Sequence, residues 1–377
     1  MPARTRAARR DNLAFSLVVS GIAGLCALPL AGIVSLSSGP KVVALAMVLA
    51  ALPVGPLVAI FLWLDRYEPE PRILLVMGLV WGACVATMGA LLIDGVGGLL
   101  VPVSTAESTT IVAPITEELA KGAFLFLMLL WRRHELDGIL DGIVYAGMVG
   151  LGFAFTENIL YLAAAWSGTD GMGPGGVQGV TSIFVFRCVV SPFAHPLFTA
   201  FTGIGVGIAV STRNPTVRAF APITGYLFAV TAHSTWNRAT LEGFGNFATV
   251  YVVLVLPALV GLTGLAVWAR MSERRLLRRA LNDAASRGLV PYDDIPWLVD
   301  LNARRAARAH AVQHGGPAGL RAMKDYQRAV IELGFLHHRY LRGTAPRNFA
   351  DRGQQFVNEL RAIRPTISFP EQVVRPR

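Results

Sequence analysis

Residues 111–131 read IVAPITEELAKGAFLFLMLLW, an apolar run interrupted by Glu117, Glu118 and Lys121. About 20 apolar residues suffice for a transmembrane helix, so the run reads as a membrane span that carries charge. A charged group at the bilayer centre costs at least ~2.5–3.5 kcal/mol, and such residues mark functional sites by default. Residues 139–166, ILDGIVYAGMVGLGFAFTENILYLAAAW, carry Glu157 in the same way. His195 in SPFAHPLF and His233 in TAHSTWN lie in two further apolar runs. Ionisable chemistry on four separate runs is the fact a reading of this chain has to explain.

The surrounding composition agrees with a membrane setting. The 377 residues are 53% hydrophobic and 15% charged, with a mean hydropathy of +0.51, whereas soluble domains carry about 25% charged residues. Apolar runs near 13–36, 41–64, 73–93, 111–131, 139–165, 182–210, 219–237 and 248–269 predict an all-α, polytopic helix bundle of about eight transmembrane helices. The first run follows MPARTRAARR. It is too long for a signal peptide and no small-residue cleavage site follows, so it reads as a retained anchor. Arg66, Arg72, Arg132, Arg133, Arg213, Arg218 and the arginines of 270–279 all fall on the side of the N-terminal arginines; the other side offers Lys41 and Arg238. The positive-inside rule then puts both termini in the cytoplasm, with the protein in a plasma membrane. The net charge of +10 reflects that topology and contact with the lipid bilayer, rather than nucleic-acid binding. Cys26, Cys84 and Cys188 fall inside spans and form neither a disulfide framework nor a zinc motif.

Three regions follow: a basic cytoplasmic arm at 1–12, a transmembrane domain at 13–269 and a cytoplasmic basic helical module at 270–377. In the last, SERRLLRRALNDAASRG extends the final span. Leu320, Met323, Val330, Leu333 and Leu336 recur at near-helical spacing, as do Phe349, Phe356, Leu360 and Ile363. His337 and His338 read as solvated. The loop DRYEPEPR at 65–72 has two X-Pro steps that force extended backbone. It is either a rigid turn or a clamp for arginines of nearby cytoplasmic segments. The glycine-rich loop 166–180, which has no Lys or Arg, is placed to cover an opening on the outer side, where topology sets the buried polar groups.

On a helix, Lys121 neighbours both Glu117 (i,i+4) and Glu118 (i,i+3), while the two glutamates point about 100° apart. Pro114 or Thr116 would mark a helix start, which would put both glutamates in a first turn and hold them ionised by the helix dipole. His195 sits between two prolines that free backbone carbonyls. His233 and Asn237 are i,i+4 neighbours, and Arg187 lies two turns before His195, where Glu157 could satisfy it. These groups suit water activation and peptide hydrolysis: one carboxylate accepts a proton while histidines and a second carboxylate bind metal or stabilise an oxyanion. Two histidines and a glutamate match the ligands of catalytic zinc, though no HExxH is present. Structural ion pairs, proton or ion transport, and a helix-binding scaffold built on Gly203, Gly205 and Gly207 draw on the same residues. The paired inverted halves expected of many transporters are not seen.

The succession DRYEPEP, EELAK, FAFTEN, SPFAHPLF and AHSTWN resembles the signatures of the PrsW-type intramembrane proteases over roughly 60–240. That family is distantly similar to the CAAX prenyl protease and bacteriocin-processing enzymes. The resemblance matches Glu117, Glu118 and Lys121 to an EExxK motif, Phe153 and Glu157 to FxxxE, and His195 and His233 to two histidine positions. It implies an intramembrane endopeptidase acting on a membrane-anchored, anti-sigma-factor-like protein substrate. Glu117 or Glu118 would be the general base, tuned by Lys121, with Glu157, His195 and His233 as zinc ligands or oxyanion stabilisers. A metal-free glutamate mechanism, as described for the prenyl-protease group, is the alternative, and an ion or solute transporter is the rival from another class.

Overall fold

The computed structural model describes residues 3–100, 104–168, 174–346 and 348–370. The described residues are helical, with short turns between helices and no strand. The centre of the 166–180 loop, residues 169–173, lies outside them, as do the side chains of the 1–12 arm. The chain divides into two compact units, Met1–Leu64 with Glu70–Ala266, and Asp65–Pro69 with Val267–Arg377.

The first unit is built around the helix Ile139–Ser167. Its most apolar window is 89% buried, against 22% for the peripheral Leu13–Ser35. The difference follows from side-chain size. The central helix is rich in glycine and alanine, so neighbouring backbones close onto it on several sides. A Cβ added at Gly142 would sit 2.0 Å from the carbonyl oxygen of Gly203, and one at Gly203 would sit 2.1 Å from that of Gly142. The helix Ala194–Ser211, which carries His195, is therefore held against the central helix at backbone contact. Outer helices instead show large apolar side chains to their surroundings, Leu25, Leu28 and Phe228 among them, as lipid-facing surfaces do.

Among the described residues, six helical segments are long and apolar enough to cross a membrane: Leu13–Ser35, Pro40–Leu64, Arg72–Val96, Ile139–Ser167, Gly176–Ser211 and Phe244–Ser286. Two of the eight expected spans fall short of that standard. Both are helical, at Ala113–Trp131 and Pro215–Leu241. Their apolarity is diluted by the residues that make them interesting: Glu117, Glu118 and Lys121 in one, Arg218, His233 and Arg238 in the other.

In the second unit, Leu277, Leu281, Leu298, Val330 and Leu360 form the buried core. The amphipathic stretches expected around 320–336 and 349–363 lie within the helices Leu301–Arg342 and Phe349–Ile363. The first of these breaks at Gly316, whose φ of 57° is readily adopted by glycine. Asp294 accepts from the Tyr326 hydroxyl at 2.5 Å and from Arg364 through both carboxylate oxygens, at 2.6 and 2.9 Å. His337, expected to be solvated, lies 2.5 Å from the Asp283 carboxylate. The DRYEPEPR loop contributes Tyr67 to this unit: its carbonyl accepts from Arg304 at 3.1 Å, and the Arg270 and Arg304 guanidiniums lie 5.3 and 5.9 Å from its ring. Arginines do gather on the loop, at Tyr67.

Candidate active site

The glutamates sit deeper in their helix than the sequence suggests. Helical backbone begins at Thr105, where Ser104 and Glu107 form a capping box, and runs through a π-helical turn at Ser108–Val112 into Ala113–Trp131. Glu117 and Glu118 are thus beyond the first turn, and the helix dipole, which acts within that turn, is not what holds them. Pro114 is absorbed by the wide turn rather than starting the helix. Asn237 donates to the Thr109 carbonyl in that turn at 2.9 Å, so this asparagine props the helix and touches neither glutamate.

Lys121 supplies the counter-charge. Its Nζ donates to Glu118 Oε1 at 2.7 Å and to Glu117 Oε2 at 3.2 Å, the two contacts that i,i+3 and i,i+4 spacing allows. It also lies 3.8 Å from the centroid of the Phe153 ring, a cation–π contact, and 3.2 Å from His195 Nδ1. An ammonium can only donate, so Nδ1 accepts and the His195 proton sits on Nε2. That nitrogen faces Glu157 Oε2 at 2.6 Å. Glu157 is also ion-paired with Arg187 Nη2, while Arg187 Nε donates to Asn158 Oδ1 at 2.7 Å and its guanidinium lies over the Tyr161 ring at 4.0 Å. Arg187 reaches this position from a second π-helical turn, Val185–Val190, which ends before Pro192.

His233 is oriented in a parallel way. Its Nδ1 lies 3.1 Å from Glu118 Oε1, which assigns the proton to that side and leaves Nε2 bare, 3.8 Å from Glu117 Oε2. Glu118 Oε2 accepts from the Thr199 hydroxyl at 3.1 Å. Glu118 is therefore fully buried and held by three partners. Glu117 has fewer ties, and its side chain keeps 10% exposure. Thr199 was not foreseen; the signal was its position four residues after His195, on the same helix face. Phe198 stacks on the His233 ring, 5.0 Å between centroids.

All the expected site residues thus converge within the first unit, in a different grouping from the one expected. Donor atoms of Glu117, His195 and His233 lie within 4.8 Å of one another and all three residues are buried. Glu157 stands behind His195, engaged with Arg187. The chemistry of this donor set fits zinc: one carboxylate and two unprotonated imidazole nitrogens, His233 Nε2 and His195 Nδ1, the latter also accepting from Lys121. Each histidine is held from its other nitrogen by a carboxylate, as metal-binding histidines commonly are. The Lys121 ammonium, in contact with Glu117 and His195, supplies positive charge at the same place.

A family model described as "PrsW family intramembrane metalloprotease" matches residues 70–262. A protein named protease PrsW from Oceanobacillus iheyensis is 30% identical over 127 residues, 34% of this chain and 51% of that protein. One of the same name from Geobacillus kaustophilus is 28% identical over 153 residues, 41% of this chain and 61% of its own length. The chain thus covers about half to three-fifths of the length of these curated relatives. No solved structure matches.

Proposed function

This chain belongs to the PrsW family of intramembrane metalloproteases, and on that premise we propose that it cleaves a peptide bond of a membrane-anchored protein with a glutamate-activated water. The observation that carries the reading is the buried convergence of Glu117, His195 and His233 from three helices. Glu117 is the carboxylate of the pair with room to act, since Glu118 is committed to Lys121, His233 and Thr199. Glu117 takes the proton of a water held among the three side chains and returns it to the leaving amine. His195 and His233, kept in register by Glu157 and Glu118, present unprotonated ring nitrogens to that water, and the Lys121 ammonium supplies the positive charge for the developing oxyanion. Where zinc is bound, Glu117, His195 and His233 would hold it; Glu117 would then serve as a ligand in place of the base, and the ion would acidify the water and polarise the scissile carbonyl.

A metal-free version is favoured by one specific contact. Lys121 Nζ already neutralises Glu117 and touches His195 Nδ1, both at 3.2 Å. The proposal also takes Ala113–Trp131 and Pro215–Leu241 as crossing helices, giving eight spans, both termini cytoplasmic and a plasma-membrane location.

The test is co-expression of tagged single-span proteins with wild type, Glu117→Gln and Glu118→Gln. Glu117→Gln should abolish cleavage while the protein still folds, because an amide keeps the shape and loses the basicity. Identical fragments from wild type and Glu117→Gln would overturn the mechanism. Zinc content of purified wild type against His195→Ala and His233→Ala separates the two versions: stoichiometric metal lost in both variants supports zinc, and none in active wild type supports the metal-free route.

A further inference from the structure

The second unit holds a cavity of about 550 Å³ that the proposed protease chemistry does not use. Two helices form it. From Leu256–Ser286 come Trp268, Arg275, Leu276 and Arg279; from the end of Leu301–Arg342 come His338 and Arg342. Trp268, Arg275 and Arg279 are spaced i, i+7, i+11, which keeps them on one face of their helix. His338 and Arg342 are i,i+4 neighbours on the other. None of the described residues lining the cavity is acidic. Burial, then the charges of Arg342 and His337, pushes the His338 imidazole down to about 4. At neutral pH this ring is an uncharged hydrogen-bonding group, and the positive charge of the cavity is that of its arginines.

The sequence fixes where along the helix this cavity sits. The apolar run that begins at Phe244 ends at Trp268 and Ala269, and basic residues take over. Tryptophan is enriched at the membrane–water boundary, and Trp268 is 55% exposed. Arg275 and Arg279 follow about 10 and 16 Å further along the axis at 1.5 Å per residue, where a span gives way to headgroups and water. Trp268 on the membrane side and the arginines beyond it match a molecule with acyl chains below and a phosphate above. We infer that this cavity binds the headgroup of an anionic phospholipid, the phosphate on Arg275, Arg279 and Arg342 and the first acyl carbons against Trp268. Arginine presents a planar fork of donors suited to phosphate oxygens, and the volume lies in the range of small-ligand sites. The inference does not depend on the protease reading.

The full chain, purified in neutral detergent, is titrated with phosphatidylglycerol and separately with phosphatidylcholine, and retained lipid is counted by native mass spectrometry. Wild type should prefer phosphatidylglycerol by about tenfold or more, the scale expected of two arginines near an anionic headgroup. Arg275→Gln/Arg279→Gln should bring the two lipids to within about twofold, and Arg342→Gln, on the opposite helix, should lose part of the preference. The control Arg278→Gln/Arg305→Gln removes the same charge from exposed positions outside the cavity and should keep it. Equal retention of both lipids by wild type overturns the proposal. So does an equal loss in the cavity and control variants, which would mean bulk charge alone. Displacement of phosphatidylglycerol by inorganic phosphate, but not by chloride at matched ionic strength, would identify a free-phosphate site and also overturn it.

Discussion

Lys121 has no exposed surface, and its ammonium contacts both glutamates, His195 and the Phe153 ring. A buried cation persists only where its partners offset the cost of leaving water, and removing one member of such a group leaves the others uncompensated. Lys121→Met should therefore destabilise the protein by about 3–5 kcal/mol, read from unfolding in mixed micelles, and abolish cleavage. Wild-type unfolding in that variant would mean that the glutamates do not depend on Lys121. This part of the site was legible in the sequence, because spacing within one helix fixes which side chains meet. What spacing does not contain is the partner on another helix. Glu117 rather than Glu157 lies with the two histidines because Arg187 draws Glu157 away, and Thr199 enters because its helix packs where Glu118 points.

The helices that place these side chains do so through close backbone contact. A Cβ added at Gly150 of the central helix would lie 2.7 Å from the His195 carbonyl oxygen and 2.8 Å from Pro196 N. Backbone, not a flexible side chain, stands in the way. Gly150→Ala should push the His195 segment off its position, and a displacement of about 1 Å costs on the order of 100-fold in rate. Gly264→Ala, where nothing lies within 4 Å, is the matched control and should cleave at the wild-type rate. Equal activities in a fragment assay would show that the approach of these two helices is not what sets the geometry. Helix existence was readable from apolar periodicity, and a local bend at SPFAHPLF from its two prolines. The π-helical turns at Ser108–Val112 and Val185–Val190 were not. A wide turn inserts one residue without changing composition, so the apolar pattern gives no sign of it, yet one of them carries Arg187 to Glu157.

Across the whole chain, the number of membrane crossings turns on the two helices that carry the glutamate pair and His233. The six other segments are apolar enough to cross on composition alone. Ala113–Trp131 and Pro215–Leu241 fall below that standard because buried polar groups that satisfy one another count, on any hydropathy scale, as though each faced lipid. The ionisable residues buried in them do satisfy one another: Lys121 bonds both glutamates, and His233 bonds Glu118, while Arg218 and Arg238 lie exposed near the ends of their helix. The desolvation penalty that would keep such a helix out of the bilayer is thereby offset within the bundle. Eight crossings and six make opposite statements about three positions. With eight, Lys41 and Val177 share one side of the membrane and Arg213 lies on the other; with six, Lys41 and Arg213 share a side and Val177 is opposite. The comparison holds whichever way the protein is inserted. Single cysteines at these exposed positions, in a background without Cys26, Cys84 and Cys188, are labelled with an impermeant thiol reagent before and after permeabilisation. Val177→Cys should label together with Lys41→Cys, and Arg213→Cys only in the other condition. A reporter fused after Arg377 should read on the Arg213 side, because crossings seven and eight return the chain to it. A reporter on the opposite side would mean that Pro215–Leu241 does not cross, and Val177 opposite to Lys41 would remove Ala113–Trp131 from the membrane. The positive-inside rule argues for the first outcome: Arg132 and Arg133 follow one of these helices, and Arg213 and Arg218 stand at the start of the other. Only when both cross do these four arginines fall on the side of the N-terminal arginines and of the run beginning at Arg270.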